Sequence, residues 1–393
     1  MGNLPFGLLS PAMKILELTH SLAAAHGGLP VVVVGLSRCL AASGTEVALV
    51  TADARNTAGL VEGANVAGSQ EAAPIMARLR HAHALGPVSL VHQHGLWVRL
   101  CREGARFAHR LALPWVVSPH GMLEPWALGH HAWRKKIAWS VYQHRDLKRA
   151  AAFHVTSVEE GLSVRQLGFR QPIFLSPPGL NPIPGEALDP PSASAFRNRR
   201  SALFLSRLHP KKGLPLLLEA WHQLRPDGWE LIIAGPDENG HREQLERLVR
   251  RWGLQGVVRF RGLLTGSERD TAFRRADLFV LPTHSENFGL VVAEALQYGM
   301  PVLTTSGAPW SSLAHQDCGW QVPVSVPGLT AGLASAFAMS DEERRAMGRR
   351  GKNWVEKQLN WATVGSAFAD FYRWVLDGGA VPKNVFTDDF PET

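Results

Sequence analysis

Glu286 and Glu294 bracket the stretch Glu286-Asn287-Phe288-Gly289-Leu290-Val-Val-Ala-Glu294, the richest chemical signal in the chain. An apolar run at 278–282 predicts a strand and 288–298 predicts an amphipathic helix, so Glu286 falls in the connection. Phe288, Gly289 and Leu290 then offer the free N–H groups of a helix start. Such a start attracts anions, and a glycine lets a phosphate approach the backbone closely. Two carboxylates flanking it suit a sugar nucleotide, with sugar hydroxyls on Glu286, ribose hydroxyls on Glu294 and the diphosphate between. Taken alone, the pair reads more plainly as a capping Glu and a solvated helix Glu.

A second signal weighs against that plain reading. Ser206-Arg207-Leu-His-Pro-Lys211-Lys212-Gly213 follows the apolar run 202–205 and precedes a helical pattern from Leu214. Arg207 and Lys212 bracket a loop at a strand's carboxyl end, where two cations can hold a diphosphate and stabilise its charge as it leaves. A solvated basic loop is the simpler alternative. Gly235-Pro236, ending the next apolar run, lines the same edge. In the first half, His120 ends the apolar run 115–117 ahead of Gly121, which aims it at the carboxyl-end crevice of a sheet. His92-Gln-His94 ends another run; two histidines with no third ligand near in sequence do not define a metal site, and none is expected.

These residues need a scaffold, and the patterning supplies one. Short β-branched runs alternate with amphipathic stretches throughout, the signature of βα units on parallel sheets. Strands are expected at 14–19, 46–51, 88–92, 115–118 and 153–156, with Gly27-Gly28 as a tight turn after the first. Four prolines between Asn181 and Ser194 interrupt the pattern. It restarts with strands at 202–205, 230–234, 257–260, 278–282 and 302–305, and ends in helices at 341–359 and 363–376. The expected division is 13–185, then 199–377 including the terminal helices, with 1–12 and 380–393 loose.

With 393 residues, 45% of them hydrophobic and 19% charged, the chain is long enough for two cores. Its formal charge of +7 suits an anionic partner without choosing one. Three scattered cysteines, Cys39, Cys101 and Cys318, argue against a disulfide framework and for a reducing, cytoplasmic compartment. The start lacks the plan of a signal peptide, and no apolar run is long enough to span a bilayer.

On the stretches 207–213, 235–240, 259–262, 286–294 and 299–302, with Gly27-Gly28 and Ser118-Pro-His-Gly-Met122, the chain resembles the retaining glycosyltransferases of family 4. The likeness runs from Met13 to about Leu376. It implies the GT-B fold: two Rossmann-like α/β domains facing a central cleft, with C-terminal helices. By the same resemblance, Arg207 and Lys212 bind the donor diphosphate, Glu286 the donor sugar and Glu294 the ribose. The amides of Phe288 to Leu290 assist, with Asn287 and Gly235 lining the donor site. Gly27 and Gly28 let the first domain approach the diphosphate, and His120 touches the donor sugar beside the reacting centre. A UDP- or GDP-linked donor, no cofactor and retention of configuration are implied. No Asp-x-Asp occurs, and the cations already present make metal-independent transfer the expectation.

The acceptor implied is a glycan or polyprenyl-diphosphate-linked species of a polysaccharide or lipopolysaccharide pathway. The segment 124–149 mixes Trp126, Trp133, Trp139 and Tyr142 with Arg134, Lys135, Lys136, Arg145, Lys148 and Arg149. That suits an anionic membrane face at the inner surface; a core-facing Trp stripe with a solvated basic back is the equal alternative. Competing readings are a GT-B epimerase or phosphorylase, and a non-catalytic anion- or membrane-binding homologue. No nucleic-acid motif appears, so nucleic acid is not an expected partner.

Overall fold

The computed structural model describes residues 13–23, 27–53, 65–66, 73–129, 132–183 and 199–391. The chain forms two compact units, Met1–Gly179 with Trp361–Thr393, and Leu180–Asn360. The expected leader, 1–12, and most of the proline-rich connection lie outside the described residues.

The first unit supplies β1 (Lys14–Ser21), β2 (Glu46–Asp53), β3 (Asn65–Val66), β4 (Leu90–His94), β5 (Trp115–Ser118), β6 (Ala152–Val155) and β7 (Ile173–Leu175). The second supplies β8 (Arg200–Leu205), β9 (Trp229–Ala234), β10 (Val258–Gly262), β11 (Leu278–Leu281), β12 (Val302–Thr305) and β13 (Gly319–Val322), and the chain's end adds β14 (Val385–Phe386) to the first unit. Among the described residues the sheet orders are β14-β7-β6-β5-β4-β1-β2-β3 and β10-β9-β8-β11-β12-β13. All pairings are parallel except β14 on β7. Helices cover the faces, so strands such as Leu278–Leu281 are buried along their whole length and read as unbroken apolar runs. Each sheet has one topological switch, at β1/β4 and at β8/β11, beside which the connections leaving the carboxyl ends are free to bind ligands.

The structure moves one boundary. The sequence reading gave both terminal helices to the second domain. Helix Asp341–Gln358 does pack there, started by a capping box between Ser340 and Glu343. Helix Trp361–Asp377, however, packs on the first unit. A Cβ at Gly35 would lie 2.0 Å from the Trp361 ring, and Phe371 stacks on Phe174 with centroids 4.4 Å apart. The apolar face of that helix was legible; which sheet it covers was not.

The tail is also a correction. Residues 380–391 are docked: β14 pairs antiparallel with β7, and the Phe390 ring fills the space a Cβ would take at Gly161. Within 124–149 the described residues are mostly helical, in the pieces Pro125–Gly129, Ala132–Ala138, a π-turn at Trp139–Gln143 and His144–Leu147.

Candidate active site

In the second unit the two signals meet at the β8/β11 switch. The connection leaving β8 carries Arg207 and Lys212, and that leaving its neighbour β11 carries Glu286. Backbone contacts hold the two loops together. The Lys211 carbonyl accepts from His284 N–H at 2.8 Å and from the Thr283 hydroxyl at 3.1 Å. Gly213 has φ 67°, and a Cβ there would sit 1.9 Å from the Pro282 carbonyl oxygen. Gly235, at φ 143°, would clash with the Ser206 carbonyl in the same way, at 1.8 Å. Both positions therefore demand glycine for conformation and for space.

Lys212 Nζ is ion-paired with Glu286 Oε1, both side chains largely buried. Arg207 is more exposed and pairs with Glu238 at 2.7 Å. The Asn287 side-chain oxygen is buried with no hydrogen-bond partner among the described residues, an acceptor left open in this loop. The expected helix starts later than its sequence pattern: it spans Leu290–Gln297, with Gly289 at φ 77° as its N-cap and no side-chain cap. Phe288 lies before the helix, its carbonyl taking a bond from Trp310 Nε1 at 2.5 Å. Glu294 pairs with Arg269 at 2.5 Å, and burial raises its carboxyl against the lowering pull of that guanidinium. Arg269, on helix Gly266–Arg275, was missed in the sequence, where it is one arginine of a solvated-looking helix.

In the first unit Gly27 caps helix Gly28–Ala42 at φ 79° without a side-chain cap bond. His120 follows β5 in the left-handed region, φ 51°, a strained setting for a side chain with a Cβ. Buried Glu160 supports this turn from below. Its Oε1 accepts from Gly121 N–H at 2.7 Å, and its Oε2 from Thr156 N–H at 2.9 Å and the Thr156 hydroxyl at 3.1 Å. Burial raises the Glu160 carboxyl despite those donors.

The fold brings a third group, distant in sequence, to His92 and His94. Glu17 on β1 brings its carboxylate beside both rings, all three ligand atoms lying within 4.8 Å of one another. Parallel pairing of β1 with β4, with Glu17 opposite His92, places them there. A charged residue inside the apolar run Lys14–Ser21 was the available signal for it. Each ring is engaged by protein: His94 Nε2 with Glu17 at 2.5 Å, His94 Nδ1 with His120 Nε2 at 3.0 Å, His92 Nδ1 with the Tyr372 hydroxyl at 2.6 Å, and His92 Nε2 with Ser118 at 2.6 Å. Neighbouring His92 and His94 outweigh burial and hold the Glu17 carboxyl at about 2.

Comparison with known proteins agrees with these two units. Residues 27–179 match the glycosyl transferase 4-like domain and residues 189–354 the glycosyl transferases group 1 family, which between them take in most of the chain. The chain belongs to the group 1, family-4-like glycosyl transferases, and its two parallel α/β sheets are those of the GT-B fold.

Among curated relatives, it is 34% identical over 181 residues to D-inositol 3-phosphate glycosyltransferase of Streptomyces avermitilis, spanning 43% of this chain and 39% of that one. It is 29% identical over 213 residues to GDP-mannose-dependent alpha-(1-6)-phosphatidylinositol monomannoside mannosyltransferase of Mycobacterium tuberculosis, spanning 50% of this chain and 54% of that one. These matches thus span about half or less of the relatives' lengths. Sucrose-phosphate synthase from Thermosynechococcus elongatus superposes with a TM-score of 0.75 at 20% identity, over 93% of this chain and all of that one, a likeness of fold.

Proposed function

We propose that this protein is a retaining, metal-independent glycosyltransferase that moves a sugar from a nucleotide-diphosphate sugar to a hydroxyl of a glycan or lipid-linked acceptor. The observation that carries the proposal is the meeting of Lys212, Arg207 and Glu286 on two adjacent loops at the β8/β11 switch, with the amides before Leu290 beside them. In this reading the carboxylates of Glu286 and Glu238 hold the two cations in place, and a donor diphosphate takes over their charge.

The chemistry follows from that charge. As the bond from the anomeric carbon to the diphosphate oxygen breaks, its electron pair stays on the diphosphate, and Lys212, Arg207 and the helix start stabilise it. The acceptor oxygen bonds to the anomeric carbon on the face the diphosphate leaves, and its proton passes to the departing phosphate oxygen. Glu286, freed from Lys212, takes donor-sugar hydroxyls; Glu294 takes ribose hydroxyls in place of part of its bond to Arg269. The family resemblance further assigns His120 to the donor sugar and Gly27 and Gly28 to its diphosphate. The two cations supply the positive charge that a metal ion would otherwise bring.

A UDP- or GDP-linked donor fits the same reading, the mycobacterial relative being GDP-mannose-dependent by name. The acceptor belongs to polysaccharide or lipopolysaccharide assembly, met at an anionic membrane surface. In support, Trp133, Ile137 and Val141 recur every fourth residue and are 64, 57 and 60% exposed, with Arg134 and Lys136 beside them. Trp139 instead packs inward, 5.9 Å from the Phe169 ring. No helix among the described residues is long and apolar enough to cross a membrane.

The test is a panel of UDP-, GDP- and ADP-sugars incubated with EDTA and candidate acceptors, read by nucleotide release. One donor turned over at an undiminished rate is expected. A requirement for divalent metal would remove the metal-independent step, and no turnover of any donor by folded protein would remove the proposal.

A further inference from the structure

Phe288 and Gly289 share one peptide group, and whatever holds its carbonyl decides where its N–H points. The group is trans and planar, so the Phe288 C=O and the Gly289 N–H lie on opposite sides of it. The Phe288 oxygen takes the indole Nε1–H of Trp310 at 2.5 Å. That bond has one possible direction, because an indole nitrogen only donates and a carbonyl only accepts. The Gly289 N–H is therefore turned away from Trp310. It has no hydrogen-bond partner among the described residues, and it stands at the N-cap of helix Leu290–Gln297, next to the first free amides of that helix.

Glycine leaves this orientation open to reversal. At φ 77° Gly289 is left-handed, and turning the peptide over would carry it to negative φ, which glycine populates as readily. A Cβ at 289 would meet nothing nearer than Trp310 Nε1 at 3.5 Å, so the position calls for glycine by conformation rather than by lack of room. The reversed peptide would turn the Phe288 carbonyl, a negative dipole end, to the side where the N–H now points.

Trp310 selects one orientation from a rigid seat. It is 2% exposed, on the connection leaving β12, the strand paired with β11. Its backbone N–H is bound to the Ala308 carbonyl at 2.8 Å, and its ring meets Trp354 of helix Asp341–Gln358 edge-on, with centroids 5.9 Å apart. The Phe288 ring lies 5.1 Å from it on another side. The same connection grips the start of the motif, where the Gly307 carbonyl accepts the Glu286 N–H at 2.7 Å.

We propose that Trp310 is a positioning residue whose indole N–H fixes the Phe288–Gly289 peptide, so that the Gly289 N–H faces the donor diphosphate and stabilises the charge it gains on leaving. The peptide orientation stands on the geometry of the second unit alone; the diphosphate as its partner rests on the glycosyltransferase reading. Trp310, itself buried, acts through that one peptide group.

The experiment places β-(3-benzothienyl)alanine at position 310 of the full chain, keeping the ring's shape while sulfur replaces the N–H. Trp310→Phe is the second variant. Phenylalanine labelled with carbon-13 at its carbonyl, together with nitrogen-15 glycine, marks only the peptides 6–7 and 288–289, since Phe-Gly occurs nowhere else in the chain. Gly7→Ala assigns the 288–289 signal. Without ligand, the Phe288 carbonyl carbon is expected upfield of wild type in both variants, having lost its hydrogen bond. Inorganic diphosphate is expected to move the Gly289 amide proton downfield in wild type, and to bind either variant about tenfold more weakly, the worth of one hydrogen bond to a charged group. Trp354→Phe, which loosens the same ring without removing its N–H, is expected to lower Tm and to leave diphosphate affinity unchanged. An unmoved Phe288 carbonyl, or wild-type diphosphate affinity in a folded variant, overturns the proposal; so does an equal loss of affinity in Trp354→Phe. If wild-type protein transfers no sugar from any donor, the functional reading fails and the donor diphosphate with it, while the peptide orientation still stands or falls on the carbonyl signal.

Discussion

Lys212 and Glu286, on the loops that leave neighbouring strands β8 and β11, form an ion pair that joins the basic loop to the carboxylate motif. Both side chains are largely withdrawn from water, so the pair is held by geometry rather than by surface attraction, and removing one partner strands the other. Lys212→Ala is expected to lower kcat/KM for transfer by about 10² to 10³, the cost of one lost donor to a developing anion. Arg207→Ala, at a more exposed position, is expected to cost less and to act more through donor KM. Initial rates over a donor concentration series check both.

Glu294 and Arg269 make the second pair of the site, at 2.5 Å. Glu294→Ala is expected to weaken donor binding by roughly tenfold, the worth of about 1.4 kcal/mol, with little change in the binding of inorganic diphosphate. Calorimetric titration with the nucleotide and with diphosphate separates the two. Equal loss for both ligands would place Glu294 on the phosphates instead of the ribose.

Gly213→Ala and Gly235→Ala each force a Cβ to within 1.9 and 1.8 Å of a backbone oxygen at positive φ. Each is expected to lose about 2 kcal/mol or more of stability. Gly240→Ala is the control: its φ is 74°, yet nothing described lies within 4 Å of the added carbon, so only about 1 kcal/mol of backbone strain applies. Urea midpoints read on the three variants check the ordering.

The buried histidines predict how stability follows pH. His92 and His154 have folded values of about 4 and about 3 against an ordinary 6.5, burial being the first cause in each. Between those values the unfolded chain binds more protons than the folded one, so stability is complete above pH 6.5 and falls as pH drops towards 4 and below. Glu17, lowered to about 2, adds a loss in the same direction as pH falls from 4.5. Tm should hold from pH 7.5 to about 6.5 and then decline down to pH 4.5, and His154→Phe should flatten that decline even if its Tm is lower at every pH. A Tm independent of pH across that range would contradict the neutral buried rings.

Trp133 and Ile137 are exposed on one face beside basic residues. The double variant Trp133→Ser, Ile137→Ser is expected to reduce sedimentation with anionic phosphatidylglycerol vesicles several-fold while leaving Tm within a degree or two, since neither side chain packs in the core. Unchanged sedimentation would return this face to ordinary solvent exposure.

The two loops at the β8/β11 switch were legible because each is a local signal: a strand, a loop of special residues, a helix. Arg207, Lys212 and Glu286 needed only the βα alternation to be placed at carboxyl ends. What joins distant segments was not legible. Glu17 reaches His92 and His94 only through the β1/β4 pairing, and Glu160 reaches Gly121 from a helix that begins after β6. Helix Trp361–Asp377 was seen as a helix, but the glycines at 35 and 179 that receive Trp361 give no sign of it in sequence. The late start at Leu290 has a local cause, the left-handed Gly289, which ends the loop where the apolar pattern alone continues.

The most direct test of the central claim is the anomeric configuration of the product, read by proton NMR coupling constants, for the one donor that wild-type protein turns over in EDTA. Retaining transfer through Lys212 requires a product with the donor's own anomeric configuration, formed by wild type and lost in Lys212→Ala at unchanged folding. A product of inverted configuration, or full transfer by folded Lys212→Ala, would contradict it.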